Sequence, residues 1–531
     1  MATSRLSLAL LILLLAAGLR ITAMENDQRF HPDEALFASF ARNAAVQGDW
    51  LLHGALDKTP LSIYMAALGM TAFGVTALPN GVLTLDTFHG EFAARLPNVY
   101  ASILFVALMM ALARRAFRQA RAAILTGILA AISPLALAFS AVAFTDPLML
   151  VCITAAFYAA LRGKPVQTGI WLALGIGCKQ QAVLYTPLLL AVLWRSNMLH
   201  PEVVGKNQDT QEGKAGSAAK YLRDSILMAL PVAVGLTALL VWDEARGQVT
   251  GLWTLAAANN DPGRLAHPDE LLPRLVAWMC YAQYLLPLTP IAVLIGLRIL
   301  TAATRITSHS DAKAASQQRR AGFMWILAAY AVLYLLAHWA VAVNIYDRYL
   351  LPLLPVAILL AAGVLSESGH KDRQHNSVLL TRPFVASTLF LLALSLPTAL
   401  DALAARLPIG GDRGKHQGIE DLAAHLEGKP LGTIIYDHWL GWELGYYMGT
   451  WSDKRRVYYP TPHALAADAP LNPDCAPRYI AAPADVTLTP WLNALRRVGF
   501  TISLDYAHGR FVSYRLIPAL TVKCASTAES S

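Results

Sequence analysis

Charge is what this sequence is shortest of. Only 15% of its 531 residues are Asp, Glu, Lys or Arg, and 56% are hydrophobic, whereas soluble domains are about 25% charged. That excludes an ordinary soluble enzyme and leaves a multi-pass helical membrane protein. The five cysteines show no metal-ligand spacing; Cys152, Cys178 and Cys280 lie in apolar stretches and read as small core residues. No Gly-rich phosphate loop occurs, which argues against an ABC transporter and against a transferase fed by a nucleotide sugar on the cytoplasmic face. There is no Asn-X-Ser/Thr sequon, which favours a bacterial membrane over a eukaryotic secretory one. Lys and Arg number 43 against 35 Asp and Glu, yet they gather in short loops between apolar runs. That is the mark of membrane topology and not of a nucleic-acid groove.

What is present is a succession of apolar runs, read as about eleven spans within residues 1–403, with a first outward loop over 25–95. The opening run, about Leu6 to Ala23, follows Arg5 and reads as a retained anchor with a cytoplasmic amino terminus. Leu61 to Leu78, broken by Gly69, Gly74 and Pro79, reads as surface-lying helices. Arg114, Arg115, Arg118 and Arg121 mark the cytoplasmic side after the next span. Asp146 then falls at an outward turn, where a helix cap and a functional carboxylate are equal readings. The apolar stretch Thr168 to Trp194 is interrupted by Gly177-Cys178-Lys179-Gln180-Gln181 between two basic loops, which predicts an outward-facing hairpin with Lys179 at its apex. Arg348 and Tyr349 belong to a tight outward turn, Asn344 to Tyr349.

Residues 404–531 read as a small soluble α/β domain on the non-cytoplasmic side. Strands are expected at Thr433–Tyr436, Val457–Tyr459, Tyr479–Ala481, Thr501–Tyr506 and Arg510–Leu516, and helices at Ile419–Leu426, Gly441–Met448 and Trp491–Val498. On that side of the membrane Cys475 and Cys524 are expected to form a disulfide.

The stretch His31 to Pro60 organises the chain. Pro32 suits the first position of a helix and puts Asp33 and Glu34 in its first turn, where amide donors favour ionised carboxylates. Leu36, Phe37, Phe40, Ala41 and Ala44 share one face, with Arg42, Asn43 and Gln47 towards the other, so the helix is expected to lie flat on the membrane surface. The tetrapeptide His-Pro-Asp-Glu recurs at 267–270, and taken alone it reads as ordinary helix-start chemistry.

In order along the chain stand the Asp33-Glu34 pair, Gly48-Asp49-Trp50, Asp57-Lys58-Thr59-Pro60-Leu61, Glu91-Phe92-Ala93-Ala94-Arg95-Leu96-Pro97, Ser133-Pro134, Thr145-Asp146, a lysine in the hairpin, and Arg348-Tyr349-Leu350-Leu351-Pro352. This series resembles the bacterial branch of the protein O-mannosyltransferase and aminoarabinose transferase superfamily, glycosyltransferases of the GT-C fold. The resemblance implies an enzyme of the bacterial cytoplasmic membrane that moves a hexosyl or pentosyl group from a polyprenyl-phosphate carrier, on the outer face, to a glycan, lipid or protein acceptor, among membrane lipids and without nucleic acid. It puts forward Asp33 as catalytic carboxylate, with Glu34 and Asp146 as further catalytic candidates and Lys58, Arg95, Lys179, Arg348 and Tyr349 as substrate-binding residues. It also raises a divalent metal at Asp57, although Asp57 and Thr59 stand where the family has Glu and its first Pro. A transporter would place such charges near the membrane midplane, and here they gather at one face. A polymerase or ligase acting on a lipid-pyrophosphate glycan would share the outward site.

Overall fold

The computed structural model describes residues 2–76, 87–199, 211–260, 263–286, 312–366, 382–449, 453–471 and 477–518. Cys475 and Cys524 lie outside them. The chain forms two compact units, one of Met1–Asn26, Leu51–Met65 and Arg95–Gly410, the other of Asp27–Trp50, Ala66–Ala94 and Gly411–Ser531.

The protein is a helical membrane protein. Among the described residues five helices are long and apolar enough to cross a membrane by length and composition: Leu6–Met24, His89–Phe117, Ala218–Ala245, Arg320–Ala340 and Asp347–Leu365. Leu61–Ala72, Ala120–Ile132, Asp146–Leu161, Pro165–Cys178 and Leu392–Leu403 are shorter apolar helices. In the first unit the long apolar stretch breaks at Lys179, which is extended (φ −159°, ψ 132°) between the Pro165–Cys178 helix and a 3-10 turn, Gln180–Tyr185, that leads into Thr186–Leu199. The local reason is in the sequence: glycines at 175 and 177 weaken the end of one helix, and Pro187 suits the start of the next.

Close packing in this unit rests on small residues. A Cβ on Gly169 would lie 2.1 Å from the Met228 carbonyl oxygen, so the Pro165–Cys178 helix meets the Gln211–Ala245 helix backbone to backbone at that glycine. Arg20, inside the first apolar helix, is fully buried. Its guanidinium donates to Ser102 Oγ (2.9 Å), Ala131 O (2.8 Å) and Ala130 O (3.1 Å). The last two are carbonyls at the C-terminal end of the Ala120–Ile132 helix, which lack intrahelical partners and carry the negative end of its dipole. Cys152 and Cys178 are buried, whereas Cys280, expected in a core, is exposed on the Pro268–Ala282 helix.

The second unit is built on a five-stranded sheet of β1 (Ile434–Asp437), β2 (Arg455–Tyr458), β3 (Arg478–Pro483), β4 (Phe500–His508) and β5 (Phe511–Pro518), in the order β2-β1-β3-β5-β4. β1 runs parallel to β2 and β3, and β5 runs antiparallel to β3 and β4. Side chains alternate between two cores. Ile435, Tyr479 and Ala481 pack with Ile419, Leu422 and Leu426, whereas Ile434, Tyr436, Ile480 and Ala482 pack with Leu465, Leu492 and Leu495. Helices therefore cover both faces, which is why β1 is buried along its whole length and reads as a continuous apolar run. Gly509, at φ +60°, opens the two-residue turn between β4 and β5, a conformation glycine adopts without steric cost.

Candidate functional site

The first unit gathers five of the residues singled out from sequence. Asp146, the first residue of its helix and 1% exposed, does not cap; its Oδ1 accepts from Lys179 Nζ at 2.7 Å. Lys179 is brought there by the break after Cys178, and its ammonium lies 5.0 Å from the ring centroid of Tyr349. Tyr349 donates its hydroxyl to Asn260 Oδ1 at 2.7 Å, and its carbonyl accepts from the Tyr334 hydroxyl. Arg348 stacks its guanidinium over Tyr346 and Phe144, 4.3 and 5.3 Å from the ring centroids. Both Lys58 and Arg348 are near enough for their charges to act on Lys179. Two further cations are thus within electrostatic reach of Lys179, which is itself placed against the Tyr349 ring.

The Asp57-Lys58-Thr59-Pro60 segment is pinned to the same place. Lys58 pairs with its neighbour Asp57, Gln180 donates to the Asp57 carbonyl at 2.8 Å, and buried Thr59 donates its hydroxyl to Ile176 O at 2.7 Å. A proline in place of Thr59 would lose that bond to the end of the Pro165–Cys178 helix. Asn259 donates to Asp57 Oδ2 at 3.0 Å. The Asp57 carboxylate is therefore taken up by Lys58 and Asn259, and among the described residues it belongs to no group of three His, Cys, Asp or Glu side chains able to hold an ion. Arg95, also in this unit, is buried.

In the second unit the Pro32–Gln47 helix begins with a complete capping box. The His31 amide donates to Glu34 Oε2 at 3.1 Å, and the Asp33 amide donates to His31 Nδ1 at 3.1 Å. Glu34, 0% exposed, is thus engaged in the cap, and Asp33 stands beside it in the first turn of the helix. The second His-Pro-Asp-Glu starts its helix alike, Glu270 accepting from the His267 amide at 2.9 Å. Leu36, Phe37, Phe40, Ala41 and Ala44 are buried as their spacing suggests, but Arg42, expected on the polar face, is also buried. Its guanidinium donates to the Gly445 and Tyr446 carbonyls and lies 5.0 Å from the Tyr446 ring centroid. The helix is clamped to protein at this point, because the last carbonyls of the Gly441–Tyr447 helix need a donor. Phe30 meets Tyr446 edge to face at 4.8 Å, and the Tyr447 hydroxyl bonds Glu91.

Sequence reasoning missed Asn259 and Asn260, which fall in a polar stretch with no chemical signature of its own. It also missed Gln180 as anything but part of an interruption. The pairing of Asp146 with Lys179 spans 33 residues, and only the fold reveals it.

Comparison with known proteins adds the following. Residues 57–203 match the family described as dolichyl-phosphate-mannose-protein mannosyltransferase. Over 158 residues, 28% of the chain, the protein is 25% identical to undecaprenyl phosphate-alpha-4-amino-4-deoxy-L-arabinose arabinosyl transferase 2 of Proteus mirabilis, and the match spans 26% of that relative. Its fold is similar to that of ArnT from Cupriavidus metallidurans bound to undecaprenyl phosphate, with a TM-score of 0.59 and 13% identity over 97% of each chain. The apo state of that protein gives 0.58 and 15%, over 97% of this chain and 98% of that one. The Archaeoglobus fulgidus oligosaccharyltransferase, in complex with Zn and sulfate, gives 0.53 and 12%, over 96% of this chain and 72% of the other. At these identities the solved structures show a shared fold.

Proposed function

We propose that this chain, similar in sequence and fold to glycosyltransferases of the GT-C superfamily, transfers a glycosyl group from a polyprenyl-phosphate carrier to an acceptor hydroxyl or phosphate. The observation that carries this reading is the buried Asp146–Lys179 pair with Lys58 and Arg348 acting on the same lysine. Buried charges are costly and are kept where they have work to do. Here the work is to hold a lipid phosphate. As the bond between the anomeric carbon and the phosphate oxygen breaks, the phosphate leaves with the electron pair, and Lys58, Lys179 and Arg348 balance its growing charge. Asp57 and Asp146 aim the two lysines, and Tyr349 walls the site.

Asp33 is the base of this proposal. The acceptor oxygen must lose its proton as it attacks, and a carboxylate within hydrogen-bond reach takes it. The assignment is supported by the resemblance, which puts Asp33 forward as the catalytic carboxylate, and by its place in the first turn of the Pro32–Gln47 helix, where amide donors favour the ionised form. The enzyme is proposed to sit in the bacterial cytoplasmic membrane with about eleven crossings. The phosphate site and residues 404–531 lie on the non-cytoplasmic side, opposite the basic run Arg114 to Arg121.

Purified full-length protein given polyprenyl-phosphate sugar and a lipid or glycan acceptor should release polyprenyl phosphate, and Asp33→Asn should lower that rate by about 10²- to 10⁴-fold. Activity within a few-fold of wild type in the variant would sink the assignment of Asp33, and a protein that moves its substrate without cleaving it would sink the transferase.

A further inference from the structure

Three side chains of the second unit, none of them given a part in the transfer proposed above, converge on one point. His31, Asp412 and His416 each offer a ligand atom, and the three atoms lie within 4.8 Å of one another. His31 Nε2 stands 3.4 Å from Asp412 Oδ2, and the two imidazoles meet edge to face with centroids 5.4 Å apart. Ligands on a tetrahedral zinc, at about 2.0–2.1 Å, are about 3.3 Å from one another, so a modest inward shift completes the set. His416 is already oriented for it. Its Nδ1 faces Glu443 Oε1 at 3.4 Å, and its Nε2 is buried with no hydrogen-bond partner among the described residues. A carboxylate behind one ring nitrogen, with the other nitrogen left for a cation, is the arrangement that metal-binding histidines use. Asp412 is presented from strained backbone: it and Arg413 are both held at left-handed φ, +53° and +58°, and such strain in non-glycine residues gathers at ligand clamps. Its side chain is 39% exposed, which leaves a route for the ion and room for water as a fourth ligand.

We propose that His31, Asp412 and His416 form a site for a borderline divalent cation of the zinc class, with Glu443 orienting His416. The site carries a consequence for the neighbouring helix. His31 Nδ1 accepts the Asp33 amide, so the ring proton sits on Nε2. A cation needs the Nε2 lone pair, which moves that proton to Nδ1, where it opposes the Asp33 amide proton. The ion and the helix cap compete for one imidazole, and binding loosens the turn that carries Asp33. The inference stands whether or not Asp33 is the base of a glycosyl transfer.

Chelator-treated, full-length protein is titrated with Zn²⁺ and its metal counted after gel filtration. One equivalent should bind. His416→Ala and Asp412→Asn should each weaken binding at least ten-fold, and Glu443→Gln, an outer partner, by about ten-fold. Should His416→Ala not elute as folded protein, Glu443→Gln and the visible absorption of a four-coordinate Co²⁺ complex decide. Hydrogen exchange in the peptide containing Asp33 should rise when zinc is added. Asp57→Asn should bind zinc as wild type does. Zinc retained undiminished by all the site variants, zinc lost in Asp57→Asn alone, or no stoichiometric uptake overturns the proposal.

Discussion

At the scale of single residues, Lys58 tests the phosphate site most directly. Its charge would meet the donor phosphate in the ground state and meet a larger charge in the transition state. Lys58→Ala should therefore raise the donor Kd and lower kcat together, each by roughly ten-fold or more. An unchanged donor affinity would shift the phosphate to Lys179 or Arg348. Asp437 makes a separate prediction about stability. Burial at the end of β1 pushes its carboxyl up to about 6, against the opposing pull of Arg456 and of the Leu440 and Gly441 amides, while Glu443 adds to the rise. A folded-state value above the unfolded one means the folded form holds the proton more tightly. The resulting stability is present below about pH 4 and is lost as the pH climbs through about 6, by roughly 2–3 kcal/mol in all. Asp437→Asn keeps an acceptor for the two amides and cannot ionise, so its unfolding midpoint should fall less than wild type between pH 5 and 7. Parallel pH profiles would show that the carboxyl is not held as described.

At the scale of elements, the close approach at Gly169 is the most exposed to test. A methyl there meets the backbone carbonyl of Met228, which has no rotamer by which to retreat, so Gly169→Ala should cost about 1–3 kcal/mol and lower the thermal midpoint. Gly18 is the control: it lies in a helix and its added Cβ meets nothing within 4 Å, so Gly18→Ala should be neutral or slightly stabilising. Elements are also where the sequence was most readable. The β4–β5 pair announces itself by alternation and a glycine turn, and the break at Lys179 by glycines followed by a proline, because these signals are local. Arg42 misled for the same reason. Its polarity argued for water, but it is buried by carbonyls from a helix 400 residues away, which no window of sequence contains. Asn259 and His416 were silent for the converse reason, each being an ordinary polar residue until the fold gives it a neighbour.

At the scale of the whole molecule, the second unit takes in residues 27–50 and 66–94 along with the tail, a grouping that composition along the chain does not reveal. The side of the membrane on which the tail sits is open to a chemical test. If residues 404–531 lie on the oxidising side with Cys475 and Cys524 bridged, thiol labelling of denatured, unreduced protein should reach Cys152, Cys178 and Cys280 and no others. Five labelled cysteines would refute the bridge.

Arg20 has a history as well as a place. Two of its three backbone partners, Ala130 and Ala131, stand 110 and 111 residues further along the chain. At about 5–20 residues per second of synthesis, the first helix leaves the ribosome on the order of 10 s before they exist. For that interval, of the partners the folded protein gives this guanidinium, the nascent helix supplies only its own Ala16 carbonyl, 3.3 Å away in the finished fold. The insertion machinery must shelter it, or the charge must stay at the lipid interface until the Ala120–Ile132 helix arrives. Arg20→Leu should therefore insert its first helix more readily, read by protease protection of ribosome-bound chains, and lower the thermal midpoint of the finished protein, which loses the tie to Ser102 and the Ala120–Ile132 helix.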